Sequence, residues 1–214
     1  TSPRKAWKSL YMINNMKIGA GEKILLRSGQ TFSGNIKIKS VIGTPEAPVI
    51  FSSYGNGRAT IESGDSSAFI ASDCENLIFK NINTKGSGRL KGNKTSGIEF
   101  FNFINGRIDS VETSGYLYNG IQISGGKEIR ITNVRSSENG SCGINVNTAS
   151  ARRNDADTLL SRPRNIYIGY CVAENNPGCP AIKNNHSGNG ILLGGVINGV
   201  IEYCEAMNNG WDMP

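Results

Sequence analysis

Two stretches of the 214-residue sequence gather side chains able to move protons or bind anions. Residues 177–188 contain Lys183 and His186 with Asn184 and Asn185 between them, and residues 149–163 contain Arg152, Arg153, Asp155 and Asp157. His186 is the only histidine, and its neutral form near pH 7 suits a general base; Lys183 is the alternative base. An arginine fork grips a carboxylate through two parallel hydrogen bonds, which fits Arg152 or Arg153 to an anionic ligand. Glu99 and Asn145 offer the oxygen ligands that a hard cation such as calcium prefers. Each assignment has a plain competitor. A loop histidine can be a surface or hydrogen-bonding residue, the basic loop residues can be solvated charge, and Asp155 with Asp157 reads as a solvated acidic turn.

The elements that must position these residues repeat. Gly-Ile, with a hydrophobic residue two places on, recurs at Gly97-Ile98, Gly120-Ile121, Gly143-Ile144 and Gly190-Ile191. The first two intervals, 97 to 120 and 120 to 143, are 23 residues each, about one coil of a stacked solenoid. A second row, Ile108, Ile131, Ile168 and Ile201, opens another apolar strand 11 residues after Gly97, Gly120 and Gly190 but 25 after Gly143. One rung therefore carries two insertions, within 149–163 and within 177–188. An earlier rung fits with Ala68-Phe69 in the Gly-Ile place and Phe79 in the second row. Five rungs are readable, and residues 24–26, 36–38 and 49–51 read as further short strands.

Alternation along a strand turns Ile98 and Phe100, Ile121 and Ile123, Ile144 and Val146, and Ile191 and Leu193 inward. It leaves Glu99, Gln122, Asn145 and Leu192 outward in one column, and Phe101, Ser124, Asn147 and Gly194 in the next. This polar, partly flat face suits a sugar chain, with Gln122 and Asn147 as hydroxyl partners, although any solvated sheet face is also polar. Both insertions adjoin it and can wall a groove. Asn139, Asn176 and Asn209 form a column eight residues after the second row, spaced as an asparagine ladder that satisfies buried backbone groups at a turn. The glycine before each strand marks a bend where a side chain would clash or φ must be positive.

Residues 1–23 read as an N-terminal cap, because Trp7, Leu10, Tyr11 and Ile13 follow helical spacing after Ser2-Pro3 and an open solenoid end needs cover. Residues 24–214 are the rungs of a single domain. The chain stops just after Asn209, where a further rung would begin, which predicts a truncated chain. No stretch approaches the roughly 20 apolar residues of a membrane span, and the first residues lack the apolar core of a signal peptide. Net charge is +6; the basic residues are scattered and lack a nucleic-acid motif, so an acidic polysaccharide is favoured over nucleic acid as partner. Five cysteines, an odd number, indicate no disulfide framework, and Cys171 and Cys204 share the place of Val111 and Val134, as buried small hydrophobes would.

Ala20-Gly21-Glu22-Lys23-Ile24-Leu25-Leu26, Ala47-Pro48-Val49-Ile50 with Tyr54-Gly55-Asn56-Gly57, and the Gly-Ile rungs together resemble the right-handed parallel β-helix proteins of bacterial glycan degradation. Pectate lyases, alginate lyases and chondroitinase B share that architecture. The resemblance implies an all-β, single-stranded right-handed parallel β-helix and a secreted or periplasmic location. For the alginate lyase and chondroitinase B group it further implies β-elimination at a uronate by a Lys base, an Arg and often calcium. Its motifs are scaffold motifs, and fold is a weak warrant for reaction. The closely placed aspartates and Gly-His-Gly segment of the hydrolase relatives are not evident. The alternative is a glycan-binding or structural β-helix without catalysis.

Overall fold

The computed structural model describes residues 6–149, 161–182 and 187–212. Successive rungs are built from β1 (Lys23–Arg27), β2 (Thr31–Ser33) and β3 (Ile36–Lys39); β4 (Val49–Tyr54), β5 (Ala59–Gly64) and β6 (Phe69–Ser72); and β7 (Glu75–Lys80), β8 (Ile82–Gly86) and β9 (Ile98–Phe101). They continue as β10 (Ile104–Asp109), β11 (Glu112–Ser114) and β12 (Asn119–Ser124); β13 (Lys127–Thr132), β14 (Arg135–Ser137) and β15 (Cys142–Asn147); β16 (Arg164–Gly169), β17 (Val172–Glu174) and β18 (Asn189–Leu193); and β19 (Ile197–Glu202) with β20 (Glu205–Met207). Every third strand pairs in parallel. The first sheet runs β1-β4-β7-β10-β13-β16-β19, the second β2-β5-β8-β11-β14-β17-β20, and the third β3-β6-β9-β12-β15-β18. This is a parallel β-helix, coiled in the right-handed sense that parallel crossovers adopt.

Both rows of the sequence repeat stack in register. Phe69, Ile98, Ile121, Ile144 and Ile191 are successive partners in the third sheet, and Phe79, Ile108, Ile131, Ile168 and Ile201 in the first. Phe69 and Phe79 of these rows form an aromatic stretch of core with Phe51 and Phe100, and Phe103 stacks on Phe100 at 4.3 Å. Gly106 lies between Leu77 and Ile129 in register, and the Phe103 ring fills its place: a Cβ there would stand 2.7 Å from the ring.

The second sheet explains the glycines. From β11 onward its inward residues are small, and each faces a bend glycine of the third sheet, whereas Ile61 and Ile82 earlier in the sheet are large and buried. A Cβ on Gly97 would meet Thr113 Oγ1 at 2.6 Å, one on Gly143 would meet Ala173 at 2.8 Å, one on Gly190 would meet Ala206 at 2.8 Å, and one on Gly120 would run into Ser136 Oγ. None of these four glycines has a positive φ, so close approach, not left-handed backbone, selects them. The hydroxyls work as well as fit: Thr113 donates to Gly120 O at 3.2 Å and Ser136 to Gly143 O at 2.8 Å.

The asparagine ladder is present at the corner between the second and third sheets. Asn139 Nδ2 donates to Asn176 Oδ1 at 3.0 Å and Asn176 Nδ2 to Asn209 Oδ1 at 2.9 Å. The same oxygens accept the main-chain N–H of Asn139 and Asn176. Tyr116 takes the place one rung earlier, giving its N–H to Asn139 Oδ1 at 3.2 Å. All described non-glycine residues at positive φ fall on four further columns, three at corners and one inside the first sheet. The inner column, Asn76, Asn105, Glu128, Asn165 and Asn198, forms a second ladder on the outside, with Asn198 Nδ2 donating to Asn165 Oδ1 at 3.1 Å.

The N-terminal helix α1 (Tyr11–Asn14) is four residues long, shorter than the spacing predicts. Leu10 and Ile13 are buried on the end of the core, but Trp7 and Tyr11 face solvent. What closes the end is a side chain: Asn14 Oδ1 accepts Lys37 N–H at 2.8 Å and its amide donates to Asn35 O, occupying the free edge beside β3. At the second-to-third corner, Arg89 from residues 87–97 reaches across several rungs, donating to Gly178 O at 2.9 Å and pairing with Asp212 at 2.7 Å.

Candidate functional site

Both insertions root at edges of the third sheet. The first leaves after β15 and returns before β16; its base is closed by Ala149 N–H to Ser161 O at 3.1 Å, and Arg162 Nε donates to Gly195 O at 2.9 Å. The second leaves after β17 and returns into β18, where Cys179 N–H donates to Ser187 Oγ at 3.1 Å. Lys183, His186, Arg152 and Arg153, with Asn184, Asn185, Asp155 and Asp157, lie outside the described residues.

Between these roots the outward column expected from alternation is formed. Ile70, Glu99, Gln122, Asn145 and Leu192 are successive partners, with Ser72, Phe101, Ser124 and Asn147 alongside. Glu99 Oε1 accepts the Ser67 hydroxyl at 2.5 Å. Gln122 Oε1 accepts two amides, from Asn119 at 2.7 Å and from Asn145 at 3.0 Å, while its own amide donates to Ile123 O and Ser124 Oγ. Asn147 is exposed at the rim, its carbonyl oxygen spent on Thr148 N–H.

That arrangement leaves two acceptors over. With their amide nitrogens committed to Gln122, Asn119 Oδ1 and Asn145 Oδ1 are buried with no donor. Asn119 is 6% exposed. A buried carbonyl without a donor costs about 1–3 kcal/mol, so both oxygens suit a small species, a water or a cation, and not a bulky ligand. The oxygens of Asn119, Asn145 and Glu99 fit a calcium ion in kind, although no group of three or more His, Cys, Asp or Glu able to hold a metal occurs among the described residues. The sequence reading missed Asn119. Its signal was positional, since it stands immediately before Gly120, in the place of Ser96 one rung earlier.

No protein-family model and no curated protein matches the sequence. Solved structures do. An alginate lyase from Paenibacillus sp. str. FPU-7 superposes with a TM-score of 0.67 at 18% identity, over 91% of this chain and 62% of that one. Pectate lyase Pel9A gives 0.54 at 18% identity, over 90% and 56%. A mannuronic acid specific polysaccharide family 6 lyase from human gut microbiota gives 0.52 at 14% identity, over 91% and 48%. The likeness is one of fold. This chain spans less than two thirds of each of these proteins.

A second polar face went unread in the sequence. On the first sheet, Ile78, Arg107, Arg130, Tyr167 and Val200 form one outward column, each one residue before the Phe79/Ile108/Ile131/Ile168/Ile201 row. A groove of about 340 Å³ runs beside it between Pro48 and Tyr167. The Arg130 guanidinium lies 4.0 Å above the Tyr167 ring, and the Tyr167 hydroxyl donates to Glu202 Oε1 at 2.9 Å. That hydrogen bond, with the nearby carboxylate charge, pushes the phenol above its ordinary range, so Tyr167 is a donor and not a base. Burial raises the Asp109 carboxyl, but the Thr132 hydroxyl at 2.6 Å, the Asn133 amide at 2.9 Å and Arg107 outweigh it and hold the group low.

Proposed function

We propose that this is a secreted carbohydrate-active protein that cleaves an acidic polysaccharide by β-elimination at a uronate. The observation that carries this reading is the face between the insertion roots, where Glu99, Gln122 and Asn145 line up as an outward polar column with Ser124 and Asn147 alongside. Sugar hydroxyls pair with such side chains. The alginate lyase and pectate lyase of like fold support an acidic glycan as substrate.

Elimination removes the weakly acidic proton on the carbon next to the uronate carboxylate, forms a carbon–carbon double bond and expels the glycosidic oxygen, which takes up a proton. Lys183 or His186 is the base. Arg152 or Arg153 pairs with the carboxylate and draws charge away from the forming carbanion, while Gln122 and Asn147 hold hydroxyls. A calcium ion held by Glu99, Asn145 and Asn119 would add positive charge beside the same carboxylate.

The test is incubation with alginate, polygalacturonate, hyaluronate and chondroitin while following the ultraviolet absorbance of the unsaturated product, with calcium and with a chelator. A rise that vanishes in Lys183→Ala or His186→Ala is expected. No unsaturated product from any polymer in either condition would sink the lyase reading, and saturable binding without turnover would assign a glycan-binding β-helix instead.

A further inference from the structure

Five residues occupy one left-handed corner column, directly after the first sheet: Asn81, Ser110, Asn133, Tyr170 and Tyr203, with φ between 52° and 57°. Asn and Ser tolerate that backbone because short polar side chains bond locally; a bulky aromatic there is an outlier. Tyr170 and Tyr203 nonetheless hold it in consecutive rungs, with 56% and 70% of their surfaces in solvent. Their rings stack at 5.0 Å and 11°. Core packing gains nothing from this arrangement, and strained exposed residues point to use.

The two rings are not isolated. Tyr167 lies across Gly169, where a Cβ would stand 2.5 Å from its hydroxyl oxygen, and so reaches toward the same corner. Arg130 covers the Tyr167 ring and Glu202 takes its hydroxyl. Arg107, Arg130, Tyr167, Glu202, Tyr170 and Tyr203 thus make a continuous strip along the helix axis, leading out of the groove beside Pro48.

We propose that this strip is a second glycan-binding surface, separate from the elimination site, that holds an acidic polysaccharide chain outside the catalytic face. A pyranose ring has one apolar C–H face and a rim of hydroxyls. The outer side of the Tyr170–Tyr203 stack receives the face, Glu202 accepts hydroxyls, and Arg107 with Arg130 attracts carboxylates. Single-stranded nucleic acid also uses aromatics and arginine, but Glu202 and Asp109 set carboxylates within the strip, which repel phosphates and accept hydroxyls. The substrate class rests on the function proposed above.

The experiment pairs binding with turnover. Tyr170→Asn/Tyr203→Asn installs the residue found at Asn81 and Asn133, so the backbone is kept and the melting temperature should hold or rise. Affinity electrophoresis through alginate, polygalacturonate or hyaluronate should show binding weakened about tenfold in the double variant, the size of two lost ring contacts. Turnover of a short oligouronate should be unchanged. Equal retardation of wild type and double variant by every polymer overturns the strip while leaving the elimination site standing. Tighter binding of a single-stranded oligothymidylate than of any uronate polymer overturns the ligand class. Wild type that neither binds nor cleaves any uronate overturns both readings.

Discussion

Replacing Asn139 by alanine removes the middle of the interior ladder while leaving the backbone in place. Asn139 is fully buried. Its Oδ1 is the acceptor for Tyr116 N–H, and its Nδ2 donates to Asn176 Oδ1 and Ser136 Oγ. Asn176 Oδ1 keeps the Asn139 main-chain N–H and Ser136 keeps Gly143 O, so neither is orphaned. Tyr116 N–H is. One orphaned buried donor costs about 1–3 kcal/mol and the void left by the amide adds roughly 1 more, giving about 3 kcal/mol in all. In a chain of this size that is a fall of about 6–12 °C in melting temperature. Circular dichroism in the strand band during a thermal ramp measures it. Asn209→Ala is the internal control: its Oδ1 accepts the main-chain N–H and the Nδ2 of Asn176, but the residue is only half-buried, so water can take its place and the change should cost about half as much. A fall below about 2 °C for Asn139→Ala, or one no larger than for Asn209→Ala, would refute the view that buried backbone satisfaction is what the ladder supplies.

The bend glycines should be intolerant on steric grounds alone: Gly120→Ala drives a methyl into Ser136 and within 2.9 Å of the Asn139 amide, costing about 3 kcal/mol or more. Gly19→Ala, with nothing within 4 Å and no positive φ, should stay within about 0.5 kcal/mol when both variants are titrated with urea. Because Asp109 is held below the ordinary carboxylate range, its contribution to stability is fully present above the unfolded-state value, about pH 4, and is lost as pH falls through the folded one. Asp109→Asn should therefore lose less melting temperature than wild type between pH 6 and pH 3. Burial pushes the Cys171 thiol up to about 12, whereas Cys204 is partly exposed, so iodoacetamide followed by peptide mass mapping should label Cys204 first and Cys171 only on unfolding.

The sequence disclosed what repeats with apolar contrast. The Ile98/Ile121/Ile144/Ile191 and Ile108/Ile131/Ile168/Ile201 rows were legible because β-branched residues recur at fixed spacing, and the same spacing exposed the ladder of Asn139, Asn176 and Asn209. The second sheet was not legible. From β11 onward its inward residues Thr113, Ser136, Ala173 and Ala206 are small or polar, because they must sit against Gly97, Gly120, Gly143 and Gly190, and so carry no hydrophobic alternation. In the N-terminal cap, Leu10 and Ile13 were read correctly and Trp7 and Tyr11 were not, since an end cap of one turn buries only one side. For the candidate site, Glu99, Gln122 and Asn145 were placed by parity alone. Asn119 and the Arg107–Arg130–Tyr167 column stood on the same ruler, one position from marked residues, but without a marker of their own.

A solenoid pulled from its C-terminal end should unzip, each rung peeling in turn because it touches only its neighbours. Arg89 forbids that order here. Its guanidinium holds Gly178 O and the Asp212 carboxylate from a loop that precedes β9, tying the coils around Gly178 and Asp212 to the coil of β9. A load on Asp212 is therefore delivered first to that tie and through it to the middle of the stack. The coils between β9 and Asp212 yield only after it breaks, so their release becomes one event instead of a sequence of small ones.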